Sequence, residues 1–289
     1  MKLTIFTPTY NRAYKLPELY ESLTKQTNNN FVWLIVDDGS TDNTKELIEN
    51  WINEQRISIK YYYQKNMGKM SAHNKGVELT ETELFVCVDS DDMLAPEAVD
   101  EVIKCADTLT DEIGILAFKY DVSTKKNITF IDNKVESSTL KDGYDCHKLV
   151  GDTMLIYKSE FIKKYEFPSF KGEKFVPEAY LYDLLDREGK LRILRKSLYG
   201  VNYLDDGYTA GMARLLYNNP QGYFTYINQR LCLDANSKQR LSDSIRYIAM
   251  AIAHKKKRII KNAVYPFWAA VAYIPGYIFY CKRYRGFRK

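Results

Sequence analysis

The sequence predicts an α/β protein in which helices flank a mostly parallel sheet, followed by a helical extension that associates with a membrane. Two observations predict the sheet. The first hundred residues alternate short apolar runs with amphipathic segments, and this alternation is typical of a parallel sheet covered on both faces. The chain of 289 residues is also 45% hydrophobic and 14% aromatic, which is enough for the core of one large domain.

The elements follow in order along the chain. Strands are predicted at LTIFT, VWLIV, ISIKYYY and LFVCV, and helices at 16–26, 43–51, 70–79 and 96–106. Later elements are a strand at IGILAFKYD, a hairpin-like stretch over 119–140, a strand at TMLIYKS, a helix over 177–188 with proline in its first turn, a strand over 191–203, and helices over 211–253 with a break at 218–220.

Charge and cysteine usage exclude several classes of protein. The net charge of +5 conceals an asymmetry: residues 254–289 hold ten Lys and Arg and no acid, which leaves 32 basic and 37 acidic residues in the remainder. A basic tail on an acidic body argues against nucleic-acid binding. Five widely spaced cysteines fit a reducing compartment without structural zinc. The apolar run before Pro8 is too short for a secretory signal, so we expect a cytoplasmic protein.

Three carboxylates crowd the turn after the fourth predicted strand, in the segment Asp89, Ser90, Asp91 and Asp92. Like charges gather when a cation holds them, and oxygen ligands suit Mg²⁺ or Mn²⁺ with positions left for phosphates. The alternative is a solvated acidic loop that caps the helix beginning near Pro96.

The first two strands also end in polar motifs, and carboxyl strand ends are where open sheets bind ligands. In TPTYNR, we expect Pro8 and Thr9 to turn the chain and present Tyr10 to a base, or alternatively to the next helix as a cover. In VDDGSTDNT, either Asp37 or Asp38, with Asp38 preferred, could accept the imide N–H of uracil. Helix capping explains the rest of this motif.

The third strand is followed by NMGKMSAHNKG, which places Gly68, Lys69, Asn74 and Gly76 near the start of a helix. Backbone N–H groups at a helix N-terminus, together with one lysine, suit a diphosphate. We expect His73 to occupy an ordinary surface position on that helix.

These four motifs, in this order, resemble those of the family 2 glycosyltransferases, which are inverting enzymes of the Rossmann-like GT-A fold that use nucleotide-diphospho-sugars. VDSDD resembles the family's DXD motif. The resemblance implies the nucleobase at Pro8 and Tyr10, and Mn²⁺ or Mg²⁺ at Asp91 with Asp89 nearby. The implied donor-binding residues are Pro8, Tyr10, Asp38, Gly68, Lys69, Asn74, Asp89 and Ser90.

An inverting transfer needs a base beside the acceptor hydroxyl. Relatives use the aspartate of a Glu-Asp pair at the start of a later helix, and here the matching stretch has Glu178 followed by Ala179. We predict Glu178 as the base and Asp183 as the reserve candidate. Asp152 could meet the acceptor hydroxyls, and the LDDGYTAG loop with Gly207 and Gly211 could close over the donor.

The predicted organisation is a GT-A catalytic domain over 1–205, a helical subdomain over 206–253, and a basic, aromatic, membrane-associating tail over 254–289. Within the catalytic domain, 1–110 would bind the nucleotide-sugar and 111–205 the acceptor. Nineteen uncharged residues over 263–281 lie between basic flanks, which favours a segment in the plane of the membrane over a spanning helix or packing onto the body.

The resemblance implies transfer of a sugar, from a UDP-sugar by the uracil assignment above, to a lipid-linked saccharide at the inner face of a bacterial membrane, as in capsule or surface-polysaccharide synthesis. Two alternatives stay open. A nucleotidyltransferase also gathers carboxylates around Mg²⁺ but would release pyrophosphate. A non-catalytic nucleotide-binding module would keep the donor site without the base.

Overall fold

The computed structural model describes residues 1–202, 208–233 and 236–287. It contains a nine-stranded sheet in the order β3-β2-β1-β4-β8-β6-β9-β5, with β7 paired to β9. The strands are β1 Leu3–Thr9, β2 Phe31–Asp37, β3 Ile59–Tyr63, β4 Leu84–Cys87, β5 Met93–Leu94, β6 Gly114–Asp121, β7 Ser137–Ser138, β8 Thr153–Lys158 and β9 Leu191–Val201. The helices are α1 Leu16–Thr24, α2 Thr44–Glu54, α3 Lys69–Leu79, α4 Ala98–Ala106, α5 Leu140–Cys146, α6 Ser159–Ile162, α7 Ala179–Leu185, α8 Tyr208–Asn218, α9 Pro220–Leu233, α10 Ser237–Ala253, α11 Pro266–Val271 and α12 Tyr273–Arg283.

The predicted α/β fold is confirmed, and its sheet contains two parallel parts, strands β1 to β4 and the pair of β6 with β9. Strands β1 to β4 pair in parallel, whereas β8 lies antiparallel to both β4 and β6. Because β8 runs in reverse, the start of β8 reaches the edge at which the parallel strands end. The sheet as a whole is therefore mixed.

Alternating side chains of the sheet pack against helices on both faces. Leu3, Ile5 and Trp33 belong to a buried cluster together with residues of α1, α2 and α4. Phe6, one residue further along β1, points the other way, toward α3: a Cβ added to Gly76 would lie 2.4 Å from the ring of Phe6. Two-sided cover explains why these strands read as continuous apolar runs.

The chain forms two compact units, which we call the sheet unit (Met1–Glu166 and Leu181–Tyr203) and the helical unit (Phe167–Tyr180 and Leu204–Lys289). The segment 167–180, placed in the catalytic domain by the sequence, belongs to the helical unit. The helix predicted over 177–188 is also shorter, since α7 covers only Ala179–Leu185.

The helical unit joins the predicted subdomain and the predicted tail. Helix α12 packs on α10 so closely that a Cβ on Gly276 would lie 2.7 Å from the Cβ of Ile248. Glu173 accepts hydrogen bonds from the backbone N–H groups of Gln221 and Gly222, both at 2.9 Å, and so caps the start of α9. Within the described ranges, no helix combines the length and the apolar character needed to cross a bilayer.

Candidate functional site

The first motif folds differently from its prediction. Pro8 does not turn the chain: it lies buried inside β1, paired with Val36 of β2. The turn comes after Thr9, where Asn11 adopts a φ of 52°. Proline is tolerated at this position because the pairing of β1 with β4 ends at Phe6 and Cys87, before Pro8. Tyr10 is 48% exposed at the strand end, which agrees with its expected position.

The second motif holds the first in place. The backbone N–H of Asn11 donates to Ser40 Oγ at 2.8 Å, and Asn11 Oδ1 accepts from the N–H of Thr41 at 2.8 Å. Asp42 accepts from the N–H groups of Ala13 and Thr44, both at 3.1 Å. The two loops after β1 and β2 are thus joined into one platform at the carboxyl edge of the sheet.

Asp38 holds a third loop. Its Oδ1 accepts from Gln64 Nε2 at 2.8 Å and from the N–H of Met67 at 2.9 Å, and its Oδ2 accepts from the N–H of Gly68 at 2.7 Å. The side chain is buried, with 4% exposure. The sequence did not reveal this role: both carboxylate oxygens of Asp38 already position the residues that precede α3.

We expect Asp38→Asn to lower the free energy of unfolding by about 1–3 kcal/mol. The amide NH₂ would face a backbone N–H and leave a buried donor without an acceptor. Urea unfolding followed by circular dichroism measures this. Asp132→Asn is the matched control, since Asp132 is exposed and its carboxylate accepts from the N–H of Lys134. Equal stability of the two variants would contradict the assignment.

The acidic turn begins with an ion pair. Lys69 Nζ lies 2.8 Å from Asp89 Oδ1, and Lys69 is the first residue of α3, directly after the Gly68 held by Asp38. The N–H of Asp89 donates to the hydroxyl of Tyr199, on β9, at 3.0 Å. The turn is therefore fixed to α3 on one side and to β9 on the other.

Asn202, directly after β9, holds the carboxylate of Asp92 and the backbone of Asp91. The backbone N–H of Asn202 donates to Asp92 Oδ1 at 2.9 Å, and its Nδ2 donates to the backbone carbonyl of Asp91 at 2.8 Å. Asp92 is buried and turned toward Asn202. This leaves the carboxylates of Asp89 and Asp91 as the two available to a ligand.

The pKa values of the three carboxylates in the turn are shifted in different directions. Burial acts to raise the pKa of Asp89, but the nearby Lys69, with Lys119 and Arg12, outweighs it and holds this pKa below its ordinary value. Burial, and then the charge of Asp89, raise the pKa of Asp91. The same two causes raise the pKa of Asp92 to about 7. Burial and the charge of Asp89 thus disfavour the ionised forms of Asp91 and Asp92.

This donor set fits a hard divalent cation. Asp89 and Asp91 offer carboxylate oxygens, the ligands that Mg²⁺ and Mn²⁺ prefer, and an added positive charge would relieve the repulsion between them. Among the residues that the structure describes, no group of three or more His, Cys, Asp or Glu side chains could hold a metal ion. Any ion bound here must therefore take further oxygens from a ligand or from water.

His73 is not at the surface, so its prediction was wrong. It lies in α3 with its ring edge-on to Phe6 at 5.7 Å and to Phe85 at 5.5 Å between centroids. Burial, and then the charge of Lys69, lower its pKa to about 3. The helix turns this position toward the sheet because α3 covers the face that carries Phe6.

His73 should make the protein sensitive to acid. Its pKa is near 6.5 in an unfolded chain, so between about pH 6.5 and pH 3 only the unfolded state takes up this proton. Stability contributed by the neutral ring is therefore complete above pH 6.5 and falls by about 1.4 kcal/mol per pH unit below it. We expect His73→Leu to reduce the slope of unfolding free energy against pH over this window by about 1.4 kcal/mol per pH unit, which corresponds to one proton. An unchanged slope would contradict this.

The remaining predicted site residues lie in α3, in the turn itself and around β8 and α7. Asn74 is half-buried in the middle of α3, and Ser90 is buried within the turn. Asp152 is exposed just before β8, at the edge where β6 ends, since Thr153 pairs with Phe118.

Glu178 precedes α7 and belongs to the helical unit, whereas Asp183 lies within α7 in the sheet unit, and both are half-buried. In the LDDGYTAG loop, residues 204–207 lie outside the described residues, and Gly211 lies in the first turn of α8.

Four site residues were missed by the sequence. Arg12 was part of a quoted motif, and its proximity to Asp89 and Asp91 could have been suspected from that motif. Lys119, Tyr199 and Asn202 gave no signal, because only the pairing of β6 and β9 with the rest of the sheet brings them near. Lys119 Nζ lies 3.8 Å from the centroid of the Tyr199 ring.

Comparison with known proteins identifies the family. A profile described as "Glycosyl transferase family 2" matches residues 4–158, which is more than half of the chain. The chain belongs to glycosyl transferase family 2. The matched range includes all four motifs, of which the acidic turn is one, whereas Tyr199 and Asn202 lie beyond it.

Proteins of similar sequence are also named glycosyltransferases. An uncharacterized glycosyltransferase of Haemophilus influenzae is 27% identical over 200 residues, covering 66% of this chain and 74% of that protein. An uncharacterized glycosyltransferase of Rickettsia felis is 35% identical over 103 residues, covering 36% of this chain and 17% of that protein. The match thus spans about a sixth of the length of the Rickettsia protein.

Solved structures share the fold. Residues 1–349 of S. aureus TarS, in complex with UDP-GlcNAc, have a TM-score of 0.63 at 19% identity, covering 100% of this chain and 93% of that one. The mannosyltransferase PcManGT from Pyrobaculum calidifontis, in complex with GDP-Man and Mn²⁺, has a TM-score of 0.57 at 16% identity, covering 97% and 87%. This family 2 chain therefore shares its fold with both proteins.

Proposed function

We propose that this family 2 protein is a metal-dependent inverting glycosyltransferase that moves a hexosyl or N-acetylhexosaminyl group from a UDP-sugar to a lipid-linked saccharide. One observation carries the proposal: Asp89 is paired with Lys69 at the start of α3, beside the carboxylate of Asp91, at the carboxyl edge of the sheet. Positive and negative groups stand side by side there, as a diphosphate with its cation requires.

The donor site follows from these contacts. The N-terminus of α3 and the ammonium of Lys69 would face the diphosphate, and Asp89 and Asp91 would hold Mn²⁺ or Mg²⁺. When bound, the ion supplies positive charge to the departing diphosphate. Lys69 would then exchange its contact with Asp89 for a phosphate oxygen. The exposed Tyr10 on the platform would stack on the uracil base, and the uracil would lie beside the loop that contains Asp38.

The acceptor must lose a proton as it attacks. Its hydroxyl oxygen forms a bond to the anomeric carbon, the bond from that carbon to the diphosphate oxygen breaks, and the hydroxyl proton passes to a carboxylate. We assign this base to Glu178, with Asp183 in reserve. Asp152 would bind acceptor hydroxyls at the sheet edge.

We expect Glu178→Gln to lower kcat by a hundredfold or more, because the amide cannot accept the proton, while the Kd for UDP stays within about threefold. Asp183→Asn is the matched control and should keep kcat within about fivefold of the wild-type value. The measurement is release of UDP during transfer. Collapse of transfer in Asp183→Asn alone would move the base to Asp183, and full activity in both variants would refute the assignment.

Product analysis tests the proposed reaction as a whole. Incubation with UDP-sugars or GDP-sugars, Mn²⁺ and a lipid-linked saccharide should release UDP and extend the acceptor with inverted anomeric configuration. Release of pyrophosphate would instead indicate a nucleotidyltransferase. Binding of UDP without turnover of any donor would indicate a nucleotide-binding module, and preference for a GDP-sugar would overturn the uracil assignment.

A further inference from the structure

We propose that one face of α11 and α12 docks the protein onto an anionic lipid bilayer. This face, which we call the apolar ridge, consists of Phe267, Val271, Ile274 and Ile278. It lies entirely in the helical unit, and its action needs no sugar transfer. The proposal therefore stands or falls independently of the glycosyltransferase assignment.

The ridge is one continuous helical face. Backbone hydrogen bonds pass across the junction at Ala272, whose N–H donates to Trp268 O at 2.9 Å and whose carbonyl accepts from Gly276 N–H at 2.8 Å. Residues at spacings of four, three and four share one side of such a helix. The ridge residues follow this spacing from Phe267 onward.

The opposite face is already used for packing. Ala269, Ala272, Gly276 and Tyr280 are buried, again at helical spacing, and Gly276 lies against Ile248 of α10. Helix packing thus accounts for one side of α11 and α12. The apolar ridge, on the other side, faces outward. Residues 263–281 contain no charged side chain on either face.

The ridge is exposed to an unusual degree. Phe267 and Ile274 are 71% and 72% exposed, more than any other large hydrophobic side chain in the described part of the chain. Val271 and Ile278 are each about half exposed. A contiguous apolar stripe of this kind marks a surface that a partner or a membrane covers.

The basic residues before and after the apolar ridge favour an anionic bilayer as its partner. Basic side chains flank the ridge on both sides, and all eight are exposed: Lys255, Lys256, Lys257, Arg258, Lys261, Lys282, Arg283 and Arg285. Residues 254–289 contain no Asp or Glu. A second copy seated on the ridge would bring two such basic sets together, whereas anionic headgroups would neutralise them. Tyr273 and Tyr277, both exposed, suit the boundary between headgroups and acyl chains.

Vesicle sedimentation of the full chain tests this. We expect binding to phosphatidylcholine vesicles containing about one third phosphatidylglycerol, and weak binding to phosphatidylcholine alone. Phe267→Ser with Ile274→Ser should weaken binding by about tenfold or more, since two inserted side chains are lost. Phe130→Ser with Val150→Ser is the matched control, because these side chains are also exposed but lie in the sheet unit. The control should bind as the wild type does.

A second measurement needs no variant. Trp33 and Trp51 are buried in the sheet unit, whereas Trp268 adjoins Phe267. Brominated acyl chains should therefore quench the fluorescence of Trp268 when the wild-type protein binds vesicles.

Failure of the wild type to sediment, full binding by the ridge variant, or binding without quenching would each overturn the proposal. So would a dimer in lipid-free solution that the ridge substitutions dissociate, since a second copy would then occupy the ridge.

Discussion

Asp91→Asn should lower kcat for sugar transfer by about a thousandfold while the protein stays folded. The amide keeps the size of the side chain but removes the negative charge that would hold the cation against the diphosphate. The measurement is UDP release at saturating donor and Mn²⁺. Asp132→Asn, at an exposed position outside the turn, should keep the wild-type rate.

The free energy of unfolding of Asp91→Asn distinguishes the loss of a cation ligand from misfolding. The charge of Asp91 is opposed by burial and by Asp89, so removing it should leave the free energy of unfolding at neutral pH unchanged or slightly higher. A variant that folds well and transfers sugar within tenfold of the wild-type rate would show that Asp91 is no ligand of a catalytic cation.

Asp243→Ala should lower the free energy of unfolding of the helical unit by about 3–5 kcal/mol. Asp243 has no exposure to solvent, and its carboxylate accepts from Arg230 Nε at 3.1 Å, Gln239 Nε2 at 3.0 Å and Arg246 Nη1 at 2.6 Å. Alanine would remove the counter-ion of Arg230, whose side chain is 16% exposed, and of Arg246, whose side chain is 39% exposed.

Urea unfolding followed by circular dichroism measures the loss. Asp100→Ala is a suitable control, because its pair with Lys104 lies on the surface of α4 and should contribute less than about 1 kcal/mol. A similar small loss in Asp243→Ala would mean that the two arginines find other partners, and that the buried carboxylate does not hold the helices together.

The sequence predicted the first four strands and helices because their signals are local. The apolar runs of β1, β2 and β4 are largely buried, β3 is partly exposed, and each helix lies within a few residues of a turn motif, so periodicity was sufficient. The pairings beyond β4 carry no such signal. Nothing in the residues of β6, β8 and β9 shows that β8 runs antiparallel between β4 and β6, or that segment 167–180 joins the helical unit.

The same limit applies to the site. The acidic turn and Lys69 were found because their residue types are unusual at a strand end. Tyr199 and Asn202, which fix that turn, are separated from it by about 110 positions in the chain and look like ordinary strand residues. For Asp38 the motif predicted a position at a strand end, but its three hydrogen bonds to the 64–68 loop are visible only in three dimensions.

Calorimetric titration of the full chain with UDP, with and without Mn²⁺, tests the central claim most directly. If Asp89 and Asp91 share a cation with the diphosphate, Mn²⁺ should tighten UDP binding by about tenfold or more, and Asp91→Asn should abolish that gain. Equal affinity for UDP with and without Mn²⁺ or Mg²⁺ in the wild type would contradict a metal-bridged donor site at this turn.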